Sequence, residues 1–495
     1  MKKRSLVLVT VDCLRSDHVG FQGYSRPVTP FLDSLAKNKD SVVLRDAIVA
    51  GVPTYYSFPA IMASRYPLSL GRDILGIAPN EPTLATALQS AGCATAAFLA
   101  GNPYLSTRFG YHAGFDTFHD FLDAPLPEGS PNSGISETNR LSDFNRRAQK
   151  ASRRSRLTAA AYDELYFWYC QWRSARENLS LDTLRRYPAA NLMVDQAASW
   201  LRSIRDQRFF LWIHLMDPHY PHYPPPEALS ALGFSHITPR RARFLNSVWN
   251  RREVRPERLL RYREEILSLY DAGVFWVDKQ MSRLIDTLQE LQRWDETVFV
   301  LTADHGEEFL EHGARYHSPV GLSELLVHVP LLMRVPAFSG GRIARNPFSM
   351  IHLAPTLLEA VGDEIPESFQ GRSYWEQIAA AEDLHAGPAI VEAVGTGANP
   401  LRLEERMRPR QMAVRDRDYK LVINFGERTD RLYDLRNVPG EQSPLPADVF
   451  PSERGRLMQV ARAHLEKTRH DREASDRNAE LALRARLRQI QHSTS

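Results

Sequence analysis

Five short apolar runs recur along the chain, at Leu6–Val11, Cys93–Leu99, Phe209–Leu215, Val298–Leu301 and Pro330–Val335. They show little polar alternation, which predicts strands buried on both faces of a sheet. Between them, Glu81–Ser90 and Ala190–Ile204 carry apolar residues at helical spacing. The longest such pattern is Pro256–Gln292, where Leu267, Tyr270, Val274, Val277, Met281, Leu284 and Leu288 recur every three or four residues. Pro256 suits a first helical turn, so one long helix is predicted, with Gly273 the place for a kink. Strands alternating with helices predict an α/β fold whose mainly parallel sheet is covered on both faces.

Two regions read as additions to that core. Residues 124–187 open with Pro, Gly and Ser, pass through Arg146, Arg147, Lys150, Arg153, Arg154 and Arg156, and turn aromatic at Tyr166–Tyr169. A loop followed by a helical insertion is expected, its basic stretch being either an anion-binding surface or, more simply, a solvated helical face. Residues 451–495 lack glycine after Gly455 and are rich in Arg, Glu, Ala and Leu, which predicts a charged, loosely attached helical tail. A length of 495 residues is more than one core usually serves, so subdomains are expected.

Charge narrows the partners. Lys and Arg number 62 against 59 Asp and Glu, so no whole-molecule field argues for nucleic acid or a membrane surface, and any anion preference is local. Three widely spaced cysteines, Cys13, Cys93 and Cys170, suggest neither a disulfide framework nor a zinc knuckle and fit a reducing, cytoplasmic setting. Met1-Lys-Lys-Arg precedes an apolar run that stops at Asp12, short for a signal core, and no segment has the roughly 20 apolar residues of a transmembrane span. The oligomeric state is not written in the sequence.

Three of the apolar runs end in residue types that metals and oxyanions require. The first ends at Asp12, the third leads through His214 to Asp217-Pro218-His219, and the fourth ends in Asp304-His305-Gly306-Glu307-Glu308. Ligands of open α/β sheets bind at the carboxyl ends of strands, so these groups are expected to converge at one rim. A lone Asp closing a strand is as readily a turn former or cap, and His214 and His222 read equally well as strand-end packing. Asp304-His305-Gly306 is harder to explain that way, because carboxylates hold hard divalent ions and an imidazole widens the choice.

At this point the residues resemble the sulfatases of the alkaline phosphatase superfamily over nearly the whole chain. Val9–His18 with Gly23–Asp33 looks like that family's first strand and loop, and Phe210–Tyr223, Thr302–Gly313 and His328–Arg334 follow in the family's order. Asp418–Phe425 and Arg431–Asn437 are similar to its small C-terminal sheet. The resemblance implies an alkaline phosphatase-like three-layer α/β/α sandwich over 1–390, a small antiparallel C-terminal α+β subdomain over 391–450, and the tail beyond. It implies that Asp12, Asp304 and His305 bind one divalent metal ion, and that His219 with His317 or His312 faces the sulfuryl or phosphoryl group of an anionic ester. Arg315 and Arg334 stand as anion partners or as structural cations.

The nucleophile region departs from the family. Sulfatases that use formylglycine make it from Cys or Ser in Cys/Ser-x-Pro-x-Arg. Counting back from Arg65-Tyr66-Pro67, the corresponding position here is Thr54, with Phe58 where the Arg belongs. Threonine lacks the chemistry to become formylglycine, yet a metal-activated hydroxyl can attack directly. Lipoteichoic acid synthases and phosphoethanolamine transferases resemble this arrangement. Ser57-Phe58-Pro59 offers a second register, and either hydroxyl suits a helix cap as well. Cys13 stands where many sulfatases carry a second Asp, which disfavours calcium and favours manganese, zinc or magnesium; Asp17 is a further candidate carboxylate. The leading expectation is a metal-dependent hydrolase with Thr54 as nucleophile. Transfer to a sugar or lipid hydroxyl, and a noncatalytic scaffold that lost the formylglycine motif, are the alternatives.

Overall fold

The computed structural model describes residues 3–469 apart from position 73, most of 123–180, and positions 252–253, 319–320, 339–341, 345–346, 381, 383, 396–399 and 437–440. The basic stretch of the expected insertion, Cys170 and the chain after 469 lie outside the described residues.

The main sheet has eight strands: β1 (Ser5–Val11), β2 (Ser41–Leu44), β3 (Ala94–Leu99), β4 (Thr117–His119), β5 (Phe209–Leu215), β6 (Thr297–Ala303), β7 (Leu331–Arg334) and β8 (Arg342–Ala344). Their order across the sheet is β8-β2-β7-β6-β1-β5-β3-β4. All neighbours run parallel except β7, which is antiparallel to both β6 and β2. Every residue of β1, β5 and β6 is buried, because helices cover both faces. Pro30–Ala36, Ala190–Ser203 and Arg263–Glu290 pack together as one layer, and Thr54–Ala63, Leu84–Ser90 and Leu353–Val361 as the other. The architecture is a three-layer α/β/α sandwich.

The expected helix over Pro256–Gln292 forms in two pieces, a short turn at Pro256–Leu259 and a 28-residue helix over Arg263–Glu290. That helix runs unbroken through Gly273, so the expected kink is replaced by a close approach. A Cβ at Gly273 would stand 2.7 Å from the Asp217 carbonyl oxygen, in the loop that follows β5. The bare backbone is what lets this loop press against the helix. Gly273→Ala is expected to lower stability by about 1–3 kcal/mol through forced backbone movement, read as a lower denaturation midpoint.

A second, antiparallel sheet comprises β9 (Ala389–Val394), β10 (Arg410–Arg415), β11 (Tyr419–Asn424) and β12 (Thr429–Asp434), in that order. Its strands alternate between two cores. Val391, Ala393 and Ala413 join the main core, whereas Ile390, Met412, Val414 and Leu421 pack with Leu457 and Ala461. These last two belong to a helix over 451–469, so the first half of the expected loose tail is a docked part of the fold. Glu392 fastens the assembly: its N–H donates to Ala50 O at 2.9 Å, while its carboxylate accepts from Leu68 N at 3.0 Å and pairs with His464 Nε2 at 2.8 Å. Among the described residues no helix is long and apolar enough to cross a membrane.

Candidate functional site

Strand register brings the site together. Val11 of β1 lies beside Ala303 of β6, so the residues that follow them, Asp12 and Asp304, meet at adjacent strand ends. Thr10 lies beside His214 of β5, which places the Asp217–His219 loop on the same rim. Gly306 fixes the turn after Asp304-His305. Its N–H donates to Leu326 O at 2.9 Å, and a Cβ there would stand 1.8 Å from Leu325 O.

Asp12, Asp304 and His305 are fully buried, and their ligand-type atoms all lie within 4.8 Å of one another. His305 Nδ1 donates to Gly306 O at 2.9 Å, which fixes the tautomer and leaves the Nε2 lone pair facing both carboxylates, at 3.5 Å from Asp304 Oδ2 and 3.9 Å from Asp12 Oδ1. Burial, then the His317 charge, brings His305 down to about 4, so its ring is neutral at neutral pH. Burial and the Asp12 charge push the Asp304 carboxyl well up. Burial also works to raise Asp12, but His219, His214 and His305 outweigh it and hold Asp12 well below the usual range. Asp304 Oδ2 is buried without a hydrogen-bond partner among the described residues. Two facing carboxylates, a correctly turned imidazole and an orphaned oxygen fit a divalent cation, whose charge would favour the ionised form of both carboxylates.

Thr54 opens the helix Thr54–Ala63, its Oγ1 3.2 Å from His305 Nε2 and its side chain 5% exposed. The positive end of that helix's dipole lies beside it. Ser57 sits one turn on, fully buried, and its hydroxyl donates to Thr54 O at 3.1 Å. Phe58, in place of the motif's Arg, packs on Trp212 and His214.

Cys13 adopts a left-handed backbone (φ 61°), uncommon for a residue with a Cβ, and is held there by Tyr270. The Tyr270 hydroxyl donates to Cys13 O at 2.8 Å and accepts from Arg15 N at 2.9 Å. The thiol donates to Asp12 Oδ1 at 3.0 Å and lies 3.5 Å from His317 Nδ1. Burial, then the Glu307, Asp12 and Asp304 charges, pushes it well above the ordinary thiol range. His317 stacks obliquely on His305, ring centroids 4.7 Å apart, and lies 5.3 Å from His219. Burial lowers His219, whose Nδ1 is tied to Tyr220 O, while Tyr187 packs edge-on against its ring.

Other expected residues fall outside this cluster. Asp217 Oδ2 accepts from Ala190 N at 3.0 Å and so starts the helix Ala190–Ser203; burial pushes it up to about 6. His214 pairs with Thr10 Oγ1 at 2.9 Å and approaches Asp12 Oδ2 at 3.5 Å, a strand-end support. His222 packs among Tyr220, Tyr270 and Phe309. His312 Nδ1 is bound to Glu308 Oε1 at 2.9 Å, and Asp17 to Arg15 at 2.7 Å. Arg315 serves the carbonyls of Trp249 and Arg251, and Arg334 pairs with Asp40 at 2.6 Å and stacks on Trp294, so both are structural. Sequence reading missed Asn102, whose Nδ2 donates to Asp12 Oδ2 at 2.9 Å. It follows β3, and the strand-end rule applied to that run points to it.

The Sulfatase family profile matches residues 4–363. Among curated proteins, the chain is 30% identical to arylsulfatase K of Xenopus laevis over 126 residues, 26% of this chain and 23% of that protein. It is 26% identical to N-acetylglucosamine-6-O-sulfatase of Bacteroides thetaiotaomicron over 182 residues, 36% and 32% of the two chains. The matched segments thus span about a quarter to a third of these relatives' length. Among solved structures, phosphonate monoester hydrolase from Silicibacter pomeroyi superposes with a TM-score of 0.63 at 19% identity, covering 95% of this chain and 96% of that one. A protein solved in complex with its substrate D-glucosamine-2-N,6-O-disulfate gives 0.65 at 17%, covering 96% and 99%. At such identity the structural likeness concerns the fold. With the fold, the strand-end cluster and the profile in agreement, the chain belongs to the sulfatase family.

Proposed function

We propose that this chain is a metal-dependent hydrolase of sulfate or phosphate esters in which Thr54 is the nucleophile. The observation that carries the reading is the place of the Thr54 hydroxyl, buried 3.2 Å from His305 Nε2 at the start of its helix. Asp12, Asp304 and His305 would hold one divalent ion, with manganese, zinc, magnesium and calcium the chemical candidates. Such an ion supplies Lewis acidity, favouring the alkoxide form of a neighbouring hydroxyl and drawing charge from an ester oxygen. Thr54 Oγ1 attacks sulfur or phosphorus, the bond to the leaving alcohol breaks, and the group rests on Thr54 until water releases it. The positive end of the Thr54–Ala63 helix favours the anion, and His219 and His317 face its oxygens or leaving group. Retention of three buried ligand-type residues supports an enzyme over a scaffold.

The substrate classes to assay follow from the relatives' names: a glucosamine 6-O-sulfate, an aryl sulfate and a phosphonate monoester, with phosphate mono- and diesters added because Thr54 is not a formylglycine precursor. Turnover of at least one class that stops on chelation is expected. No turnover of any class with any of the four ions contradicts the proposal. Metal alone is also expected to raise the unfolding temperature of chelator-treated protein, by an amount corresponding to about 2.7 kcal/mol at a hundred times the dissociation constant. Calorimetric scans with and without the ion check this.

A further inference from the structure

We infer that Lys420, in the small sheet, is a positioning residue for the Asp304-His305-Gly306 turn and acts on it through the Glu324–Val327 helix. That helix is four residues long. A helix so short has no stability of its own, so its place is set by what it touches. On one side it touches the turn. Gly306 N–H donates to Leu326 O at 2.9 Å, the Gly306 backbone lies against Leu325 O, and the Ser323 hydroxyl donates to Glu308 Oε1 at 2.7 Å. On the other side it touches the segment leading to Thr54. Val49 N–H donates to Val327 O at 3.0 Å, and His328 and Val329 pair with Ile48 and Ala47. The helix thus joins the segment of Asp304 and His305 to that of Thr54.

The small sheet fixes the first residue of this helix. Arg415 of β10 and Lys420 of β11 are direct register partners, so their side chains share the face on which Ala413 and Val422 meet the main core. Both are buried. Two cations opposite one another repel, and Glu324 stands between them, its Oε1 3.1 Å from Lys420 Nζ and its Oε2 3.5 Å from Arg415 Nε. Glu441 closes the group, with its carboxylate 3.0 Å from Lys420 Nζ and accepting from Glu324 N–H at 2.6 Å. Asp46 pairs with Arg415 at 2.9 Å, and His328 Nδ1 lies 4.0 Å from Glu324 Oε2. Burial opposes charge on Lys420, but Glu441 and Glu324 outweigh it and keep the amine protonated.

Lys420 is the cation that Glu324 and Glu441 share. Without it two buried carboxylates are left facing one another, which drives the start of the helix from its place. Gly306 moves with the helix, and so does His305, whose Nδ1 is held by Gly306 O. The consequence for metal binding rests on the proposed function; the consequence for the turn does not.

Hydrogen exchange read by mass spectrometry on full-length, chelator-treated protein tests the inference. In Lys420→Met the peptide covering Ala303–Leu310 is expected to exchange about tenfold faster or more. Leu201→Ala is the control for lost stability alone, since its side chain is buried near the end of the Ala190–Ser203 helix remote from Asp217. It should leave exchange of that peptide within about twofold of the wild type. Titrated with manganese or zinc, Lys420→Met should bind the ion about tenfold more weakly, with kcat lowered about as much and KM within about twofold, whereas Leu201→Ala matches the wild type. Should Lys420→Met not fold, Glu324→Gln, which leaves Lys420 paired with Glu441, is expected to show the same changes at about several-fold size. Unchanged exchange of the peptide in Lys420→Met, equal acceleration in Leu201→Ala, or undiminished ion affinity in Lys420→Met overturns the inference. A wild type that binds no ion removes the proposed function, and the exchange result alone then decides the inference.

Discussion

Replacing Thr54 by alanine is expected to lower turnover by roughly four to six orders of magnitude, the scale on which removal of a covalent nucleophile acts, whereas Ser57→Ala is expected to leave it within a few-fold. The contrast follows from where the two hydroxyls point. Thr54 Oγ1 faces His305 Nε2 at 3.2 Å, while Ser57 donates its hydroxyl back to the Thr54 carbonyl at 3.1 Å, inside the helix. Thr54→Ser keeps the attacking oxygen and loses only the methyl, so it retains a substantial share of activity. Both substitutions preserve the fold, because the Thr54 side chain is not required to cap its helix: no cap hydrogen bond is made by the residue before it, Pro53, and the turn is closed by Pro53 O. The check is kcat on the best ester of the panel for all three variants, with far-ultraviolet circular dichroism as the control for folding. Equal losses in Thr54→Ala and Ser57→Ala would move the chemistry away from Thr54.

Asp304→Asn is expected to lower activity about a thousandfold or more, the several kcal/mol that metal-assisted charge stabilisation supplies. Its effect on the metal-free fold has the opposite sign. Burial and the Asp12 charge raise the Asp304 carboxyl above its unfolded-chain value, so the proton is held more tightly in the folded state. The stability this contributes is full at pH below the ordinary carboxylate range and is lost as pH rises toward the folded-state value. In chelator, the wild type should therefore lose stability relative to Asp304→Asn as pH climbs from acid through neutrality. Adding metal should rescue the wild type alone. Unfolding temperature measured against pH for both proteins, with and without the ion, reads these effects together. A variant that stays active, or a wild type indifferent to metal, would contradict the assignment of Asp304.

The frame of the site was legible because its strands are buried on both faces. Leu6–Val11, Phe209–Leu215 and Val298–Leu301 stand out as apolar runs, and the residues that close them are the ones the register gathers. Asp12, Asp304 and His305 come together as a ligand set, and His219 and His317 stand beside it. What the sequence hid is what depends on contacts between distant segments. Asn102 is an ordinary loop polar residue until β3 is seen to end beside Asp12. Gly273 reads as a helix weakness until the Asp217 loop is seen against it. The helix over 451–469 looked detachable because its apolar positions are few, yet Leu457 and Ala461, with Met458, Val460 and Leu465 packed beside them, close the second face of the small sheet, and His464 reaches Glu392. Glu307 carried no signal beyond its place after His305-Gly306, since its burial with its carboxylate 3.6 Å from His317 is visible only once the fold is known.

The joint between the two sheets bears on the proposed nucleophile. Glu392 ties Ala50, Leu68 and His464 together, bracketing the segment that holds the Thr54–Ala63 helix between its two ends. Shifting that helix by even a fraction of its turn displaces Oγ1 from the Asp304 and His305 side. In the proposed mechanism the small sheet and the helix behind it would hold the start of the Thr54–Ala63 helix in register with the strand ends.

The deciding measurement for a Thr54 nucleophile is peptide mapping by mass spectrometry after acid quench of the enzyme turning over its best ester. A sulfuryl or phosphoryl adduct is expected in the peptide containing Val52–Arg65, localised to Thr54 and absent from Thr54→Ala. An adduct on Ser57, an oxidised Ser57 with two hydrogens lost, or rapid turnover with no covalent adduct at any time after mixing would contradict it.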